Sequence, residues 1–156
     1  MDTIEFGIVH SNVDDYLTTT IYINGYDLKD ILGSIEINQV KKNDDQFMVG
    51  AYEGISPFIA FHTHNHFLKD TVNEYIYFDN RFVLLEYINS GIPGDHTIAC
   101  NIDIYQDTVK WSNFKNFSIL SESDFKYEEL SFSFDRKQYE KAIEEMVTTE
   151  INTIYG

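Results

Sequence analysis

Apolar residues recur at every second position through much of residues 4–111 and at every third or fourth from residue 139 on, and this change of period constrains the fold more than any other feature. Ile98, Cys100, Ile102 and Ile104 alternate without a break and mark the clearest strand. Ile4, Phe6 and Ile8 share one face of an earlier strand, with Glu5 and Gly7 on the other. Thr18 to Ile23 is β-branched and aromatic and runs into Asn24-Gly25, a tight-turn pair. Asp27 reads as the N-cap of a short helical turn over 28–32 that Gly33 stops. Ile35 and Ile37 suggest another strand, Lys41 to Gln46 a polar loop, and Phe58 to Phe61 a short apolar strand after Pro57.

The middle keeps the two-residue period. Tyr75 to Phe78, Asp79-Asn80 and Phe82 to Leu85 read as strand, turn and strand. Asn89 to Asp95, with Gly91, Pro93 and Gly94, reads as a loop. Gln106-Asp107 turns the strand of Ile98 back into Val109 and Trp111. The last segment is helical. Asp135 and Gln138 have the spacing of a capping box, and Phe134 and Tyr139 that of a hydrophobic staple. Tyr139, Ala142, Ile143, Met146 and Val147 form one apolar stripe, with Glu140, Lys141, Glu144 and Glu145 mainly opposite. The expected fold is α+β: one domain over 1–156, with a mostly antiparallel sheet packed by the C-terminal helix.

Such a fold needs apolar material, and 43% of the residues are hydrophobic and 15% aromatic. A chain of 156 residues buries roughly 70% of its unfolded surface without staples. Its single cysteine, Cys100, excludes an intrachain disulfide and suits a reducing compartment. Met1 to Phe6 lacks the basic and apolar regions of a signal peptide, and no apolar run reaches the length of a membrane span. The chain is expected to be soluble and cytoplasmic.

Charge narrows the function. There are 26 acidic and 11 basic side chains, a net charge of −15. Acid is spread along the chain, with 13 acidic and 4 basic residues in 1–80 and 13 and 7 in 81–156. A surface of this sign repels nucleic acid and anionic membranes and attracts basic proteins. The segment of Glu122, Asp124, Phe125, Tyr127, Glu128 and Glu129 mixes carboxylates with aromatic anchors, the composition of a partner-binding patch.

His62, His64 and His66 are the sharpest chemical candidates, because alternate residues on a strand point one way and imidazole is a zinc ligand. Three successive i+2 positions on a flat strand span about 13 Å, too far for one ion without a kink. A pair such as His62 and His64 with a distant carboxylate suits zinc better. The run departs from the zinc-hydrolase pattern His-x-His-x-Asp-His, since His66 and Phe67 occupy its last two places. Solvated strand-end histidines are the plainer reading. Cys100 reads as a buried, inert thiol. Neither a Gly-x-Ser-x-Gly elbow nor a phosphate-binding glycine loop occurs, so no catalytic residue is assigned and no cofactor is expected.

Val109-Lys110-Trp111-Ser112-Asn113-Phe114-Lys115-Asn116, followed by Phe132-Ser133-Phe134-Asp135-Arg136-Lys137-Gln138-Tyr139, resembles a loose group of small bacterial proteins with Trp-x-x-Phe-x-Asn and then Phe-x-Phe-Asp-x-x-Gln-Tyr. Ile23 to Leu28 is similar to that group's N-terminal segment. Some members look like immunity proteins encoded beside toxins. The resemblance implies a shared fold, with Trp111 in the core and a capped last helix. Many members carry a cysteine cluster before the Trp strand, which this chain lacks, so a metal or redox role tied to it does not carry over. The leading expectation is a cytoplasmic immunity or inhibitor protein that blocks a basic partner toxin, such as a nuclease, through an acidic face. The alternatives are a phage-type mimic of nucleic acid directed at a defence nuclease, and a small zinc hydrolase built on the histidines.

Overall fold

A computed structural model of the chain describes residues 1–11, 16–40, 49–62, 66–69, 77–78, 80–88, 95–118 and 125–155. Its architecture is α+β. Strands β1 (Ile4–His10), β2 (Leu17–Ile23) and β3 (Tyr26–Asp27) form an antiparallel sheet in the order β1-β2-β3. Ile4 pairs with Ile23 and Phe6 with Ile21, so the alternating apolar residues of both strands share the buried face. Asn24 and Gly25 have φ of 54° and 85°. Positive φ at both central positions is what a two-residue hairpin turn demands, and Asn-Gly supplies it at least cost.

Asp27 caps helix α1 (Leu28–Glu36), its Oδ1 accepting from the Lys29 amide at 3.0 Å. The helix does not stop at Gly33, and Ile35 belongs to it rather than to a strand. A Cβ on Gly33 would lie 3.5 Å from Gly50 Cα, an ordinary van der Waals contact. Ile37 is the C-cap and is exposed. Residues 41–46 lie outside the described residues, as do Tyr75, Ile76 and residues 89–94.

The second sheet contains β4 (Tyr52–Gly54), β5 (Tyr77–Phe78), β6 (Arg81–Tyr87), β7 (Asp95–Ile104), β8 (Thr108–Ser118) and β9 (Phe132–Asp135). Its order is β4-β6-β7-β8-β9, with β5 paired to β6 and every pairing antiparallel. The two sheets meet at β2 and β4, where the Thr19 amide donates to the Ile55 carbonyl at 2.9 Å. A Cβ on Gly54 would stand 1.8 Å from the Thr19 carbonyl oxygen, so only glycine permits this junction.

Extra residues interrupt the long hairpin of β7 and β8. Asn101 opposes Ser112, yet Ala99 opposes Lys115, so β8 carries a bulge, and Asn113 there has φ 57°. The bulge reverses the alternation. Val109 and Trp111 are buried before it, and Phe114 and Asn116 after it. His96, at φ 52°, is the extra residue of a second bulge between Asp95 and Thr97.

The segment Phe58–His62 is a π-helical turn rather than a strand. Proline suits the first turn of a helix, and here Pro57 is followed by the Ala60 amide donating back to the Ser56 carbonyl at 3.0 Å. Pro57, Ala60 and Phe61 are buried and Phe58 is exposed, a helical spacing. A 3₁₀ turn, His66–Leu68, follows.

Helix α2 (Arg136–Tyr155) closes the core. Asp135 caps it, Oδ2 accepting from the Gln138 amide at 3.0 Å, and Phe134 packs on Tyr139 at 5.6 Å between ring centroids. The reciprocal half of the capping box is replaced. The Gln138 side chain reaches Ile4 instead, accepting from its amide at 3.1 Å and donating to its carbonyl at 2.7 Å. Trp111 is fully buried. Its Nε1 donates to the Tyr139 hydroxyl at 3.1 Å, which donates to the Phe67 carbonyl at 2.5 Å. The indole therefore has both its apolar packing and its one donor satisfied.

Candidate functional site

Glu36 ends α1 with its side chain fully buried. A carboxylate stripped of water needs hydrogen-bond donors in its place. The Gly50 amide donates to Oε1 at 2.9 Å, and the Tyr52 and Tyr127 hydroxyls both donate to Oε2. Asn116 extends the cluster. Its Nδ2 donates to the Tyr52 hydroxyl at 2.9 Å and lies 3.1 Å from His96 Nδ1. An amide nitrogen only donates, so His96 Nδ1 accepts and the ring proton sits on Nε2. The His96 ring stacks on Tyr52 at 4.8 Å and meets Tyr87 edge-on at 5.1 Å. Burial chiefly, with the Glu36 carboxylate adding to it, raises the pKa of both tyrosines, which stay protonated donors. The cluster ties α1, β4, β8 and the 125–127 segment together. Glu36 has no exposed edge from which to take a proton from a substrate.

The adjacent residue of β4 serves the opposite face. Glu53 lies directly across from Glu86 on β6. Ser11 Oγ donates to Glu53 Oε1 at 2.6 Å and the Tyr16 hydroxyl to Oε2 at 3.0 Å, which moors the ends of the β1–β2 connection. Burial, and then the Glu53 charge, push the Glu86 carboxyl up to about 7.

The histidines are not arrayed along a strand. His62 ends the π-helical turn and His66 opens the 3₁₀ turn, so the alternating geometry that would align three imidazoles is replaced. His64 and the His62 side chain lie outside what is described. His66 is buried, with Nε2 2.7 Å from the Val83 carbonyl oxygen. A carbonyl only accepts, so Nε2 carries the proton and donates. Burial lowers the His66 pKa to about 4 and holds the ring neutral. Among the described residues no group of three or more His, Cys, Asp or Glu is placed to hold a metal ion. Cys100 is fully buried, and burial raises its thiol well above the ordinary value.

The acidic segment divides. Glu122 and Asp124 lie outside the described residues. Phe125 and Tyr127, expected as surface anchors, turn inward and are 8% and 5% exposed. The reason is local. Lys126 bridges Lys115 in antiparallel fashion, so Phe125 and Tyr127 share the inner side while Lys126 faces out. Gln39 clamps this segment, donating to the Lys126 carbonyl at 2.7 Å and accepting from its amide at 2.9 Å. Glu128 and Glu129 are exposed on a turn closed by the Leu130 amide donating to the Tyr127 carbonyl at 3.1 Å. Glu129 has φ 65°, a conformation that glycine or asparagine ordinarily fills. Sequence reasoning missed Glu36, Asn116, His96, Gln39 and the Glu53–Glu86 pair.

Comparison with protein-family models, with curated proteins and with solved structures finds no match to this chain. Among the described residues no helix is long and apolar enough to cross a membrane.

Proposed function

We propose that this protein is an inhibitor of the immunity type, which binds a basic partner protein, such as a toxin with nuclease activity, and occludes it through an acidic face. The observation that carries the reading is the mounting of the Glu128–Glu129 turn. Tyr127, just before it, is anchored on Glu36, and Lys126 is clamped by Gln39. Glu129 occupies the left-handed region at φ 65°, where a non-glycine residue costs on the order of 1 kcal/mol. A carboxylate retained at that cost on a rigid base suits electrostatic recognition of a cationic surface. The net charge of −15 would speed the encounter. Residues 109–116 and 132–139 resemble a loose group of small bacterial proteins, and some members of that group look like immunity proteins.

The test is affinity capture from the native host with wild-type protein and with the double variant Glu128→Lys, Glu129→Lys, each at low and high salt. One basic partner in near-equal amount, lost in the variant and weakened by salt, is the expected result. Equal capture by both proteins, or no stoichiometric partner at either salt, would reject this face.

A further inference from the structure

Strand β1 lies at the edge of its sheet, and its outward positions are filled only at one end. The Thr3 carbonyl accepts from the Asn24 amide at 2.9 Å, and the Ser11 amide donates to the Tyr16 carbonyl at 2.8 Å. The register between them is unbroken. Odd-numbered residues from Thr3 to Ser11 therefore face β2, and the main-chain groups of Asp2, Ile4, Phe6 and Ile8 point the other way. At Asp2 the edge is met by backbone. Its amide donates to the Ser133 carbonyl at 2.9 Å, in a parallel bridge with Phe134. The chain then leaves β9 for α2, and at Ile4 a side chain takes over. The Gln138 carboxamide bonds both the Ile4 amide and the Ile4 carbonyl, as a peptide group of a further strand would. At Phe6 and Ile8 the outward main-chain groups meet no partner among the described residues. A groove of about 280 Å³ opens here between β1 and α2, lined by the buried Phe6 and Ala142 and the exposed Glu5, Lys141 and Glu145. Between Glu5 and His10 the strand reads Phe-Gly-Ile-Val, with none of the charges that ordinarily protect an edge from pairing.

We propose that the β1 edge at Phe6 and Ile8 docks an extended segment of a partner protein, which continues past Gln138 the pairing that β9 and Gln138 begin. Main-chain bonds to Phe6 and Ile8 would hold such a segment, and its alternate side chains would set the choice of partner. Residues on the side of Phe6 and Ala142 are apolar. Those on the side of Glu5 are basic, because opposite charges on neighbouring strands attract. A second copy of this chain fits less well, since each copy carries a net charge of −15. The edge shares no residue with the Glu128–Glu129 turn, and its test needs no captured partner.

Amide exchange and chemical shifts of ¹⁵N-labelled full-length protein test this at low ionic strength. In the free protein the Phe6 and Ile8 amides should exchange about tenfold or more faster than those of Glu5, Gly7 and Val9. The probe is the peptide Lys-Val-Lys-Val-Lys with blocked ends. It should give saturable shifts at residues 5–9 and 138–145 and slow the exchange of the Phe6 and Ile8 amides. The same peptide N-methylated at every residue keeps its charge but loses its main-chain donors, and should not bind there. Nor should Glu-Val-Glu-Val-Glu. Ile8→Pro removes an outward donor without touching the ladder to β2, and should weaken the first peptide about fivefold or more. Were that variant to unfold, the N-methyl comparison in the wild-type protein decides alone. Slow exchange of the Phe6 and Ile8 amides in the free protein would overturn the proposal. So would equal binding of the N-methylated or the acidic peptide, no saturable shift below about 10 mM, or concentration-dependent changes at residues 5–9 without peptide, which would assign the edge to a second copy.

Discussion

Tyr52 and Glu53 are neighbours on β4, and they serve two polar clusters built on opposite principles. On the Tyr52 side a fully buried carboxylate, Glu36, receives donors from Gly50, Tyr52 and Tyr127. On the Glu53 side two carboxylates oppose each other across a strand pair, and one of them, Glu86, is pushed up to about 7. A buried charge is tolerated where donors from several segments converge on it. Where a second charge converges instead, the same burial favours the neutral form. The first cluster locks the fold, and the second makes stability depend on pH.

The comparison can be broken most directly at Glu36. Glu36→Ala would leave two tyrosine hydroxyls and an amide without their acceptor, and should cost about 4 kcal/mol in denaturant unfolding. A loss below about 1 kcal/mol would mean that the donors find other partners and the lock is not one. The next effect is set by His66, whose pKa burial lowers to about 4. Between the ordinary value near 6.5 and that lowered one, the unfolded chain takes up a proton that the native ring refuses. Stability should therefore fall by about 3 kcal/mol as pH drops through this window, and the drop should be missing in His66→Gln.

Glu86 slopes the other way. Its native carboxyl keeps a proton that the unfolded chain releases above the ordinary carboxylate range. Its contribution is thus fully present below that range and is lost as pH rises through about 7. Glu86→Gln should be more stable than wild type by about 2–3 kcal/mol at pH 8 and lose the advantage near pH 4.5. Unfolding at a series of pH values would expose the His66 slope in this variant, because its counterweight is gone. Identical pH profiles for variant and wild type would mean that Glu86 is not protonated near neutrality. The smallest effect is the most diagnostic of function. Glu129→Gly relieves the positive φ and should stabilise the fold by about 0.5–1 kcal/mol while weakening partner capture. Lower stability would show that the Glu129 side chain supports the turn.

What was legible in the chain was local. The Asn24-Gly25 hairpin, the Asp27 and Asp135 caps, the Phe134–Tyr139 staple and the strand of Ile98 to Ile104 each follow from a few adjacent residues, and each stands as expected. The failures are places where a distant segment outweighed local preference. Gly33 signals a helix end, but the helix continues to Glu36, whose buried side chain accepts hydrogen bonds from Gly50, Tyr52 and Tyr127. Ile35 and Ile37 flank Glu36 with a strand's alternation, which would have put the carboxylate on an exposed face. In the helix it turns inward, onto donors that lie 14, 16 and 91 residues away in sequence. Phe58 to Phe61 is as apolar as a strand, and only the hydrogen bond from Ala60 to Ser56 shows the turn.

The candidate sites were less legible still. The acidic segment was visible as composition, but which side its aromatics face depends on the Lys115–Lys126 bridge. The histidine run was visible as a spacing, and it lost its meaning when the strand beneath it became two turns. By itself the amino-acid sequence determined the period of each element, its caps and turns, and the sign of the surface, because these depend on neighbours along the chain and on a charge count. Tertiary structure alone decided which carboxylates are buried, which of them have donors, and where Gln138 leaves the β1 edge open, because each depends on segments that meet only when the two sheets and the helices close.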